Sequence, residues 1–263
     1  MPTTTAPSRS PIAVLAAVAV ALVAAFVVAP PALAGVGSGD DLGDERRLTD
    51  AFRAAFVGYW RSGDRDLPPD LQSVVDYWFR FHVVKAVVAV LLLFVLVALG
   101  THLWKAFPRS GNRAVLASAG VFVTLFALFA LATAMANLQG AATPFASLLP
   151  MLVDGPVDGP VDADLAGTLE QVRQQLAAGG PASPAVDVMV DDFARYHAAM
   201  AVIATVVAVG LVGVGVALWR RSHRWFAALF ALVAVLAAVV AVANAGTAAD
   251  PEPALRAFFD GGW

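Results

Sequence analysis

The residues best suited to chemistry in this sequence occur as one short element, written twice. Asp76, Trp78, Arg80, Phe81 and His82 return as Asp191, Phe193, Arg195, Tyr196 and His197. A carboxylate and a guanidinium four residues apart are neighbours on a helix. The plain expectation is therefore an exposed ion pair in each copy, worth at most about 1 kcal/mol. The alternative is that Arg80 and Arg195 hold a lipid phosphate or another anion. His82 and His197 stand about 200° round the helix from those arginines, on the face of Trp78 and Phe193. An imidazole there is either a hydrogen-bonded boundary residue or a ligand for a metal or haem iron. Lys85 lies one turn deeper than His82, and Met200 takes its place in the second copy. An ionisable residue inside an apolar run is a functional candidate, although its long stem also lets the charge snorkel outward. His82, His197, Arg80, Arg195 and Lys85 form the candidate ligand-binding set, and no residue stands out as catalytic.

Other chemistry is hard to find. The chain has no cysteine, which removes disulfides, thiolate metal sites and Cys nucleophiles. No Walker A sequence, G-x-S-x-G, H-E-x-x-H or G-x-G-x-x-G occurs. Asp154, Asp158, Asp162 and Asp164 fall in a four-residue rhythm but lack EF-hand spacing and its closing Glu. They read as a solvated linker.

The elements that must position the candidate set belong in a bilayer. Hydrophobic residues make up 59% of the 263 and charged residues 14%, well below the roughly 25% charged of soluble chains. Five apolar runs reach or approach the ~20 residues that cross a membrane as a helix: 12–29, 81–104, 114–136, 197–219 and 225–243. The connection between the second and third runs holds Lys105, Arg109 and Arg113, and that between the fourth and fifth holds Arg220, Arg221 and Arg224. Neither contains an acid. Short Lys/Arg-rich loops stay cytoplasmic, so both hairpin tips are expected inside, and all 20 acidic residues then fall outside. Trp104, Trp219 and Trp225 lie beside the inner basic residues, with Trp60, Trp78 and Phe81 at the outer end, as an aromatic belt requires. The first run is either a cleavable signal peptide or a retained anchor. Ala32 and Ala34 fit an A-x-A cleavage site, whereas the run is long for a signal.

The duplicated element extends to a whole repeat. Placing 76–105 over 191–220 without a gap also matches Gly100 to Gly215, Trp104 to Trp219 and Lys105 to Arg220. Each copy opens with an amphipathic helix. Its apolar face is Leu48, Phe52, Phe56 and Tyr59 in the first copy and Leu165, Leu169, Val172 and Leu176 in the second. Gly63 and the pair Gly179-Gly180 are the expected stops. A hairpin follows, with Asn137 or Asn244 expected to end its second helix, and then a tail led by Pro144 or Pro251. The cluster Gly210, Gly213 and Gly215 is expected at a close helix contact. The fold class is thus all-α integral membrane, with two tandem transmembrane hairpins in parallel repeat, an N-terminal signal or anchor helix, and extracytoplasmic amphipathic helices. The expected divisions are 1–34 (signal or anchor), 35–152 (first repeat, hairpin 81–137), 153–164 (linker) and 165–263 (second repeat, hairpin 197–244).

The stretches VVDYWFRFHVVKAV, ANLQGAATPFASLLPML, DDFARYHAAMAVIA and ADPEPALRAFFDGGW resemble a family of actinobacterial multi-pass membrane proteins of unknown function. Some of its members carry a Tat-signal label, but no twin arginine precedes the first run here. The resemblance implies a multi-pass fold and brings no activity, cofactor or catalytic residue. The expectation is a non-enzymatic scaffold or accessory subunit of the cell membrane, working on its extracytoplasmic side. Its partners are the lipid bilayer and an envelope protein or a second copy, with no nucleic acid. A carrier or redox component is the alternative, with a ligand, metal or haem between the repeats near His82 and His197. A lipid-acting enzyme using the outer Arg and His residues is the third reading. Outside the redox reading no cofactor is expected.

Overall fold

The computed structural model describes residues 10–36, 42–109, 111–153, 160–178 and 183–262. Among these residues all regular structure is helical. Five helices are long and apolar enough to cross a membrane: α1 (Pro11–Ala34), α3 (Pro69–Ala106), α4 (Arg113–Ala142), α8 (Pro184–Arg220) and α9 (Arg224–Ala249). A helix satisfies its own backbone amides and carbonyls, which an apolar medium demands of any spanning segment. The remaining helices are α2 (Glu45–Ser62), α5 (Pro144–Leu148), α6 (Pro150–Val153), α7 (Pro160–Ala178) and α10 (Pro251–Phe259). Helix α7 opens at Pro160, so the last part of the stretch expected as linker is already helical. Asp154, Asp158, Gly179 and Gly180 lie outside the described residues.

Helices α3 and α8 are 38 and 37 residues long, or roughly 57 and 55 Å at 1.5 Å per residue. A bilayer core takes only ~30 Å, so each projects well beyond it. Pro at the first turn starts both, where the missing amide costs nothing. The projecting heads form a cap with α2, α5, α6, α7 and α10, packed round one apolar core. The expected faces of the amphipathic helices are the buried ones: Phe52, Phe56 and Tyr59 are fully enclosed, as is Val172. The Asp44 carboxylate caps the start of α2, accepting from the amides of Arg46 and Arg47. Gly63 stops it in a left-handed conformation (φ 69°).

Two arginines hold the tails to the cap. Arg53 of α2 is buried and donates from Nε to the Met151 carbonyl of α6 at 2.9 Å. Arg173 of α7 donates likewise to the Phe259 carbonyl of α10 at 2.8 Å. A guanidinium at a helix C-terminus satisfies carbonyls the helix cannot. Trp60 was expected at the membrane surface, but it is buried where α2 packs on α7 and donates from Nε1 to Gln171 at 2.8 Å. Asp164 pairs with Arg61 at 2.9 Å across the same contact.

The two hairpins are seamed differently. In α3/α4, Leu92, Leu96, Leu99 and Leu103 pack on Val123 and Ala130, with Ala19 of α1 joining from the side. In α8/α9 the buried residues are small: Ala204 and Gly215 against Ala227, Ala234, Ala237 and Ala241. Only Gly215 of the glycine cluster makes the expected close contact, with Phe230 and Ala227. Gly210 and Gly213 face open space, because each lies on a different side of the helix from Gly215. Trp104 packs on Gly120, while Trp219 and Trp225 are exposed.

Phe56→Ala should remove a fully buried ring from the cap and cost about 3–5 kcal/mol. Leu236→Ala, on the exposed apolar side of α9, should change stability by no more than about 0.5 kcal/mol. Equilibrium unfolding of the detergent-solubilised protein separates the two.

Candidate functional site

At the heads of α3 and α8 the similar stretches 76–82 and 191–197 take two different forms. The expected ion pair is present in neither copy. Arg80 donates from Nε to the backbone carbonyl of Asp76 at 3.2 Å and from Nη1 to the Val36 carbonyl at 2.9 Å, while Asp76 accepts from Gln72. Asp191 is taken instead by Arg65, from the loop after α2, at 3.1 Å. The reason is competition. Each partner reaches a group fixed by the cap, and an exposed i,i+4 pair is too weak to resist.

His82 and His197 do lie on the face of Trp78 and Phe193. Each imidazole stands edge-on to its aromatic neighbour with ring centroids 4.6 Å apart. The Trp78 indole also donates to Ser147 at 2.9 Å. The histidines turn toward the second helix of their own hairpins. The His82 ring lies over Gly140 of α4 so closely that a methyl group there would overlap Cδ2 and Nε2. His197 Nδ1 is 2.8 Å from Asn244 Oδ1 of α9. Among the described residues no hydrogen bond or ring contact joins the two histidines.

Their tautomers follow from these partners. His82 Nδ1 faces the Trp78 carbonyl at 3.0 Å, and a carbonyl only accepts. Asn244 gives its Nδ2 amide to the Val240 carbonyl at 2.9 Å, so Oδ1 is the atom turned to His197. Both rings therefore carry hydrogen on Nδ1, which leaves Nε2 as the nitrogen a neutral imidazole would offer as a ligand. That arrangement suits a metal-ligating histidine. In the first copy, however, Nε2 lies on the Gly140 backbone, and iron could bind there only if the ring left that contact.

Asn137 and Asn244 do not end their helices. Both lie inside and donate to the carbonyl four residues back, while α4 and α9 continue to Ala142 and Ala249. Lys85 turns toward α1. Its ammonium is 5.0 Å from the Phe26 ring centroid and 4.8 Å from that of Phe81, so two aromatic faces stabilise the charge. Phe81 is one turn nearer the cap, so the side chain leans toward the cap end of α3.

Sequence reasoning missed the residues that join the hairpins. Buried Gln139 of α4 donates to the Tyr196 carbonyl at 3.0 Å, and Asp192 accepts from the Ala146 amide in α5 at 2.9 Å. Gln139 sits in an apolar stretch, and a polar residue there that needs a partner was the available signal. The described residues contain no cluster of three or more metal-ligating side chains. In comparisons with known proteins, no family model, curated protein or solved structure matches this chain.

Gly140→Ala should force the His82 ring off α4 and cost about 1–3 kcal/mol. Gly246→Ala, with open space around it, should be neutral or slightly stabilising through helix propensity. The penalty of Gly140→Ala should largely vanish in a His82→Ala background. A double-mutant cycle on thermal stability reads the coupling directly.

Proposed function

We propose that this chain is a non-enzymatic membrane scaffold or accessory subunit whose working surface is the cap, held outside the cytoplasmic membrane. The observation that carries the proposal is the unbroken run of α3 and α8 from the apolar region into the cap core. Two rigid helices thereby fix a folded module to the membrane. The polar candidates at the junction, His82, His197, Arg80 and Asp191, are each engaged in bonds within the fold, and that of His197 joins α8 to α9. The basic tips supply the orientation.

The same reading treats the chain as a parallel duplication of outer helix, hairpin and tail. The gap-free sequence register supports it, and so do the corresponding bonds of Arg53 and Arg173 to their tails. Helix α1 is proposed as a retained anchor. Ala34 is fully buried at its end, and Phe26 contributes to the surroundings of Lys85. Ala32–Ala34 is helical and its last residue, Ala34, is enclosed, which makes it a poor substrate for a peptidase that must reach an extended backbone. The alternative, a carrier or redox component, draws on the shared Nδ1–H tautomer of His82 and His197.

The absence of cysteine allows a direct test. In intact cells an impermeant maleimide should label Asp50→Cys on the exposed side of the cap and spare Gly111→Cys at the first tip. A photo-reactive maleimide at the cap position should then cross-link a discrete protein. Labelling with the opposite sidedness, or adducts with lipid alone, would sink the scaffold reading. A haem absorption band abolished by His197→Ala would favour the alternative.

Intact-mass measurement of the membrane-extracted protein should give a chain that retains residues 1–34. A mass beginning at Gly35 would show that α1 is a signal.

A further inference from the structure

Near the basic tips the two hairpins leave a cleft of about 450 Å³ between them, walled by α3, α4, α8 and α9. At the cap end Gln139 and Tyr196 tie the hairpins together. At the tip end the edge-on contact of Trp104 with Phe226, centroids 5.4 Å apart, bridges α3 to α9.

The walls are aliphatic and aromatic, Leu96, Leu131, Leu211, Val214 and Phe230 among them. Two threonines also line the cleft. Thr101 donates its hydroxyl to the Ala98 carbonyl and Thr124 to Gly120, both at 2.7 Å. With each hydroxyl hydrogen spent on its own helix, the depth of the cleft has little to offer water or a polar solute. Lys105 and His223 contribute to the lining at the end nearest the tips. Along α3 the lining runs from Leu93 to Lys105, about 18 Å at the helical rise. Half of a ~30 Å bilayer core is a similar depth. The cleft thus has the length of one leaflet, an apolar body and a basic mouth.

We propose that it binds an anionic phospholipid from the leaflet on the side of the tips, with one acyl chain between the hairpins and the phosphate at Lys105 and His223. The lysine supplies positive charge and the imidazole a ring N–H donor. The chain completes a packing surface that the protein leaves open, and the head group sets the preference among lipids. This inference rests only on the apolar helices lying in a membrane, and it is independent of the scaffold reading.

The test is native mass spectrometry of the full chain in mild detergent, titrated with phosphatidylglycerol and with phosphatidylcholine of identical acyl chains. The wild type should retain phosphatidylglycerol about fivefold better, the preference expected of one basic residue near an anionic head group. Lys105→Gln with His223→Gln should bring the ratio close to one while retention of phosphatidylcholine is unchanged. Val214→Trp, which plugs the cleft from an exposed wall position, should abolish retention of both lipids, and Leu211→Trp is a second plug should the first misfold. Equal retention of the two lipids by the wild type would overturn the proposal, as would a preference that survives the double substitution. A folded plugged variant that still binds both lipids overturns it too. So does a dimer that forms without lipid and dissociates on plugging, since a second copy would then be the occupant.

Discussion

The arrangement of the two hairpins depends on a few polar bonds made where the apolar region meets the cap. Gln139 to Tyr196 and Ala146 to Asp192 join the end of the first hairpin to the head of the second. Apolar contact alone gives little orientation in a bilayer, because lipid tails compete with side chains on equal terms. A buried amide that must find an acceptor does give orientation. These bonds fix the cap ends in contact, while toward the tips the hairpins leave a cleft bridged by Trp104 on Phe226.

Much of this architecture could be read from residue order. The five helices long and apolar enough to cross a membrane, the amphipathic faces of α2 and α7 and the Gly63 stop all follow from periodicity and from the few residues that end helices. The candidate site was legible only in part. The shared face of His82 with Trp78, and of His197 with Phe193, follows from a four-residue spacing. The partners of Asp191 and Arg80 do not, because Arg65 and the Val36 carbonyl reach them through the folded cap rather than along the helix. Asn244 looked like a helix stop because asparagine often is one. Its bond to His197 depends on α8 and α9 being side by side at one depth, which no local rule encodes. His223 lies between Arg221 and Arg224 in the sequence, and only the packing of the helices places it on the wall of a cleft.

The two histidines keep the same chemistry in different surroundings. Both retain hydrogen on Nδ1, and both stack edge-on against an aromatic ring. In the first hairpin the bond goes to the residue's own helix, and a glycine on α4 gives way to the ring. In the second the bond crosses to α9. One copy thus uses shape to hold its helices together and the other uses a hydrogen bond.

The tail clamps carry a consequence for synthesis. Arg53 precedes the first hairpin in the chain, and its acceptor Met151 follows it. Arg173 and Phe259 stand in the same relation to the second hairpin. Donor and acceptor come to lie on one side of a bilayer only after the intervening chain has crossed it an even number of times. Each bond is therefore a parity check on insertion: a hairpin that crosses once strands the arginine and its carbonyl on opposite faces, and the cap does not close.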